Sequence, residues 1–150
     1  MTRYYTIDSA NTALPELEGI VRVLGEQRAE LVRLRDQVLA GGGGSAEGAQ
    51  KSVGDRGARG DATADPQLVD DLRLTRLRMQ GLIDQMAAGV ARIDGLGLTL
   101  RDIEHGLVDF PALVAGRQVW LCWQHGEPAI GFWHDLETGF SGRRPLAELA

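Results

Sequence analysis

Eight side chains able to ligate a metal fall in one short stretch: His105, Asp109, Cys122, His125, Glu127, His134, Asp135 and Glu137. Imidazole, thiolate and carboxylate are the groups from which divalent-metal sites are built. The same stretch holds every Trp, every His and the single Cys of the chain. No pair follows a CxxC or HExxH spacing, so the sequence encodes no ready-made clamp. Which of these groups can meet depends on how the chain reverses between them.

Read as a two-residue turn, Gly126-Glu127 sets Val119 opposite His134 and Cys122 opposite Gly131. His125 then sits at the hairpin tip, about 30 Å along the strand from His134, and the two cannot share an ion. Cys122 and His134 fall on opposite faces. The metal set compatible with this register lies at the hairpin base: His134 with Glu137 or Asp135, joined by His105 or Asp109 from the preceding segment. A buried His134 hydrogen-bonded to an acidic neighbour is the plainer alternative.

The register also sorts the faces. Val119, Leu121, Trp123, Ile130, Phe132 and His134 share one that is apolar enough to pack on helices. Trp120, Cys122, Gln124, Ala129, Gly131 and Trp133 share the other, with two indoles directly opposed. Such a flat aromatic platform suits a ligand ring or a partner's side chain. The expected binding surface is Trp120 and Trp133 with a rim of His134, Glu137, Arg143, His105 and Asp109. A cross-strand pair covered by Tyr4-Tyr5 or by the Asp109–Ala115 loop is the alternative.

Nucleophilic chemistry has little support. In this register Cys122 faces away from His134, and Ser141 sits in a glycine turn with no elbow motif, so a buried, inert Cys is expected. The amides of Gly139-Phe140-Ser141-Gly142 before Arg143 and Arg144 offer a small anion nest. Neither GxxxxGK[ST] nor GxGxxG occurs, and a structural turn whose Arg pairs with Glu137 or Asp109 is the plainer reading.

Other elements must position these groups. Arg3–Ile7 is short, β-branched and aromatic, an expected edge strand. Leu17, Leu24, Leu31 and Val38 recur every seven residues and predict a first helix over 12–39, with Pro15 in its first turn. Asp65-Pro66 opens a second helix, 66–96, striped by Leu72, Met79, Met86 and Ile93 and ended by Gly95 and Gly97. Two stripes of matching period predict an antiparallel, coiled-coil-like hairpin. Gly19, Gly25, Gly81 and Gly89 inside the helices read as close approach or mere tolerance.

Between the helices, the glycine-rich 41–65 has one large apolar residue, Val53, and reads as a disordered insert. Lengthening a helix connection to roughly 25 residues adds only about 1–1.5 kcal/mol of closure entropy, so the insert can be silent. After Gly97 the period changes: LTLRDI, GLVDF, RQVWLCWQ and AIGFWHDL predict a small antiparallel sheet over 97–137. The tail, 138–150, reads as a glycine turn, Pro145 and one helical turn.

The whole is one domain of 150 residues. A net charge of −5 argues against general nucleic-acid binding, which draws affinity from phosphate neutralisation. With one Cys there is no internal disulfide; with no apolar leader and no long apolar run, a cytoplasmic protein off the membrane is expected.

YYTIDSANTALPEL near the start, then GLVDFPAL, VWLCW and GEPAIGFWHDLETGFSGR, occur in an order that resembles a bacterial uncharacterised family, domain of unknown function 2203. The resemblance covers both ends of the chain and everything from about Leu96 onward, and leaves the glycine-rich insert outside. It implies a two-helix hairpin with a small sheet, and brings no activity, cofactor or site residue.

The expected fold is therefore α+β, a long helical hairpin packed with a small antiparallel sheet. The expected function is a non-enzymatic ligand- or protein-binding module without a cofactor, its partner a protein or small molecule. One alternative is a divalent-metal protein or metal-dependent enzyme using His134, His105, Asp109 and Glu137. Another is an oligomerisation scaffold in which the helices pair two copies into a homodimer.

Overall fold

Thr6 and Ser9 start the first helix by exchanging hydrogen bonds. The Ser9 amide donates to Thr6 Oγ1 at 3.0 Å and the Thr6 amide donates to Ser9 Oγ at 2.9 Å. Two amide donors at the helix start are thereby satisfied. In the computed structural model, which describes residues 2–48 and 65–149, this cap opens α1, Ile7–Gly48. The helix thus begins earlier than the apolar stripe suggested, and Pro15 lies inside it rather than in its first turn. It also runs through the first residues of the glycine-rich segment; residues 49–64 of the expected insert lie outside the described residues, and Asp65, its last, caps the helix that follows.

Asp65 caps α2, Pro66–Gly95, by accepting the Gln67 amide at 3.0 Å, with Pro66 in the first turn, where no amide donor is needed. Past its end Gly97 takes a φ of +76°, a left-handed conformation natural to glycine, and the chain turns into the sheet.

The sheet is a meander of five antiparallel strands in chain order: β1 Thr99–Asp102, β2 Leu107–Val114, β3 Arg117–Gln124, β4 Phe132–His134 and β5 Arg144–Pro145. Two long helices with this sheet make an α+β fold. β2 and β3 are joined by Ala115-Gly116, both at positive φ (50° and 76°), the mirror-image turn that matches the twist of a hairpin. β5 comes from the tail, which was not expected to enter the sheet. Arg3–Ile7 is not a strand: it meets the sheet through the Tyr5 amide, which donates to the Pro111 carbonyl at 2.7 Å, the Tyr4 hydroxyl, which donates to Gln118 Oε1 at 3.4 Å, and the Tyr5 ring edge-on to Phe110.

The chain divides into two units, Met1–Arg28 with Met86–Ala150, and Ala29–Gln85. The first contains the sheet and the core. Alternate residues of β2 (Val108, Phe110, Ala112) and β3 (Val119, Leu121, Trp123) join Leu17, Val21 and Leu24 of α1 and Ile93 of α2 in one buried cluster. Within this unit the helices run antiparallel, since Glu16 pairs with Arg92 while Leu24 meets Gly89. A methyl group on Gly89 would stand 2.9 Å from Leu24 Cδ2, so this glycine permits close packing, whereas Gly19 and Gly25 face open space. Among the described residues of the second unit Leu82 is the buried apolar one, Arg78 pairs with Glu30, and Gly81 also faces open space. Among the described residues no helix is long and apolar enough to cross a membrane.

Candidate functional site

The connection between β3 and β4 decides the site. A tight reversal does occur at Gly126, where φ is +102° and the Glu127 amide donates to the Gln124 carbonyl at 3.0 Å. β4 does not follow directly, because the Ile130 amide donates to Asn11 Oδ1 of α1 at 2.8 Å and Ile130 is buried. Residues 125–131 thus form the connection, an odd number, and the ladder pairs Trp120 with His134, Leu121 with Trp133 and Cys122 with Phe132. This is one residue from the pairing expected of a two-residue turn.

A slip of one residue moves every side chain of a strand to the other face. Trp133, expected beside Trp120 on an exposed platform, is 3% exposed and belongs to the core. Trp120 stays on the other face under the Arg101 guanidinium, whose carbon lies 5.1 Å from the ring centroid. The expected aromatic platform therefore does not exist. Conversely, Cys122 and His134, expected on opposite faces, share one.

Three neighbouring strands now bring Asp109, Cys122 and His134 together. Asp109 of β2 pairs directly with Cys122 of β3, and His134 of β4 stands opposite Trp120, two residues along the same face. All three are buried, and one ligand atom from each lies within 4.8 Å of the others. His134 Nε2 is 3.0 Å from Asp109 Oδ2, and Arg101 Nε donates to the same oxygen at 2.9 Å. The other ring nitrogen, Nδ1, is 2.8 Å from the Asp135 carbonyl. A carbonyl only accepts, so Nδ1 carries a proton. With Nδ1 so committed, Nε2 and the Asp109 carboxylate need a further proton or a cation between them.

Burial, and after it the negative charge of Asp109, push the Cys122 thiol up to about 12. A thiol held protonated in this way is a poor nucleophile.

The three residues floor a cavity of about 280 Å³. Arg101 and Glu137 supply charged walls, Leu107, Leu136 and Phe140 apolar ones. Leu136 and Phe140 are exposed, so the rim is apolar and the floor polar.

Of the other expected site residues, Glu137 reaches the cavity and His105 does not. His105 sits in the β1–β2 connection, its Nδ1 2.8 Å from Asp102 Oδ2. That contact raises the imidazole above its ordinary value and lowers the carboxyl below its own. Arg143 grips Glu127 through both carboxylate oxygens at 2.7 and 3.0 Å, not Glu137 or Asp109. Its guanidinium lies over Phe132 at 3.9 Å and Phe140 at 4.8 Å, bracing the segment that forms the cavity rim.

Sequence reasoning missed Cys122 as a member of the site, and Arg101 altogether. Arg101 was within reach, because a cation on β1 near an acid on β2 is an ordinary cross-strand pairing. Cys122 depended on the length of the connection.

A family model described as Uncharacterized conserved protein (DUF2203) matches residues 3–146. No curated protein and no solved structure matches the chain.

Proposed function

The chain belongs to the DUF2203 family of uncharacterised conserved proteins, and from that footing we propose that it binds a small organic monocarboxylate in the cavity above Asp109 and His134. The observation that carries this reading is Arg101. Its Nε is fixed on Asp109 and its plane lies near Trp120, while its terminal nitrogens bond no other described residue. A guanidinium so held is a preorganised fork for a carboxylate. Leu107, Leu136 and Phe140 offer an apolar surface to the rest of such a ligand. A volume of about 280 Å³ suits a small molecule.

This keeps the non-enzymatic, ligand-binding character read from the sequence and moves it off the Trp120/Trp133 pair. Binding is tested with metal-stripped protein, titrating benzoate and butyrate, with benzamide as the uncharged control, and following tryptophan fluorescence. Saturable binding of a carboxylate but not of the amide is expected. Arg101→Ala should weaken it by about tenfold or more, the loss of a charge-assisted hydrogen bond. Equal binding of acid and amide, no saturation, or indifference to Arg101→Ala overturns the reading.

A further inference from the structure

We infer that Asp109, Cys122 and His134 form a binding site for a divalent transition metal of the zinc class, with its remaining position open to the cavity. This rests on the cavity as the functional surface and gives its floor a chemical identity.

The donors come from three adjacent strands, a rigid platform, and all are buried. The ligand atoms lie within 4.8 Å of one another, with Nε2 and Oδ2 at 3.0 Å; a tetrahedral ion with zinc-like bond lengths needs roughly 3.3–3.7 Å between ligands, so that contact must open slightly while wider ones close. Small side-chain rotations supply that. Thiolate with imidazole and one carboxylate suits zinc, cobalt or iron; magnesium and calcium prefer oxygen alone.

The surroundings fit the same reading. The Nδ1 proton of His134 is held by the Asp135 carbonyl, which leaves Nε2 as the ligating atom, the arrangement that orients metal-bound histidines. Arg101 holds the Asp109 carboxylate from outside. A cation also resolves the contact between Nε2 and Oδ2, which otherwise requires a proton between them. On binding, that proton and the Cys122 thiol proton are released and the metal takes their place. Three protein ligands with one open side distinguish this from a closed structural site, which has four.

Chelator-stripped full-length protein titrated with Co2+ tests the site. One equivalent should produce the visible bands of a four- or five-coordinate ion and a near-ultraviolet sulfur-to-cobalt band, both displaced by Zn2+. Cys122→Ser should remove the sulfur band and retain weaker visible bands. His134→Ala should weaken binding by more than about a hundredfold, beyond the loss typical of a group that only supports a ligand. Circular dichroism establishes that each variant is folded, and the conservative Cys122→Ser remains decisive should His134→Ala not fold. A spectrum unchanged in both folded variants, a sulfur band that survives Cys122→Ser, or no saturable band overturns the inference. Because the carboxylate titration uses stripped protein, either result can fail while the other stands.

Discussion

His134 stands directly across the β-ladder from Trp120, with Val119 one residue away on the opposite face. That pairing puts an imidazole within hydrogen-bonding distance of Asp109 and on the same side as Cys122. It also turns the neighbouring Trp133 into the core. The cavity floor and the sheet's apolar face follow from the same single-residue register.

The Asp109–His134 contact joins side chains only 4% and 3% exposed. Removing one member of a buried pair leaves the other without compensation. Asp109→Ala is expected to cost about 3–5 kcal/mol in denaturant unfolding of the metal-free protein. Combined with His134→Ala the losses should be well below additive, since the two act in one network. Additive losses would show that the contact contributes no coupling.

Gly106 has a φ of +66°, and a methyl group there would stand 2.5 Å from His125 Cβ and 2.9 Å from Val21 Cγ1. Its carbonyl also accepts the His125 amide at 2.9 Å. Strain at positive φ and overpacking act together, so Gly106→Ala should destabilise by about 2–4 kcal/mol. Gly116→Ala, also at positive φ but facing open space, should cost less. Chemical denaturation of the two variants compares them directly, and equal losses would remove overpacking as a cause.

With the Cys122 thiol near 12, its thiolate is roughly one part in 10^5 at neutral pH. Native, metal-free protein should react with a disulfide reagent far more slowly than the denatured chain. Rapid labelling of folded protein would place the sulfur in an environment unlike the buried one described.

The His105–Asp102 pair should give a pH signature away from the cavity. His105 is raised above 6.5 chiefly by its hydrogen bond to Asp102, so its contribution is complete below 6.5 and fades as pH rises through the raised value. Asp102 is lowered below 3.8 chiefly by its hydrogen bond to His105, so its contribution is complete above 3.8 and fades as pH falls through the lowered value. Between 3.8 and 6.5 both are present. His105→Gln should lower the thermal midpoint most in that window, by a small amount for so exposed a pair, and least at alkaline pH. A difference that grows with pH would reverse the assignment.

Much of the architecture was legible locally. The heptad stripes located both helices, Asp65-Pro66 marked the start of α2 to the residue, and the change to short aromatic segments marked the sheet. The Thr6–Ser9 exchange lies upstream of the apolar stripe, so the stripe placed the start of α1 too late and put Pro15 in its first turn. Asp109, His134 and Glu137, grouped from the sequence, line the same cavity. His105 was gathered with them only because it is near in sequence.

The sequence by itself determined the element types, their order and the rare side chains available to a site, because helix stripes, caps and turn residues act over a few neighbouring positions. Only the tertiary structure decided which of those side chains meet. Asn11, far away in the chain, holds the Ile130 amide, and Ile130 is buried in the core within the seven-residue β3–β4 connection. Strand side chains alternate with a period of two, so whether that length is odd or even assigns Trp133 to the core and joins Cys122 to His134 and Asp109.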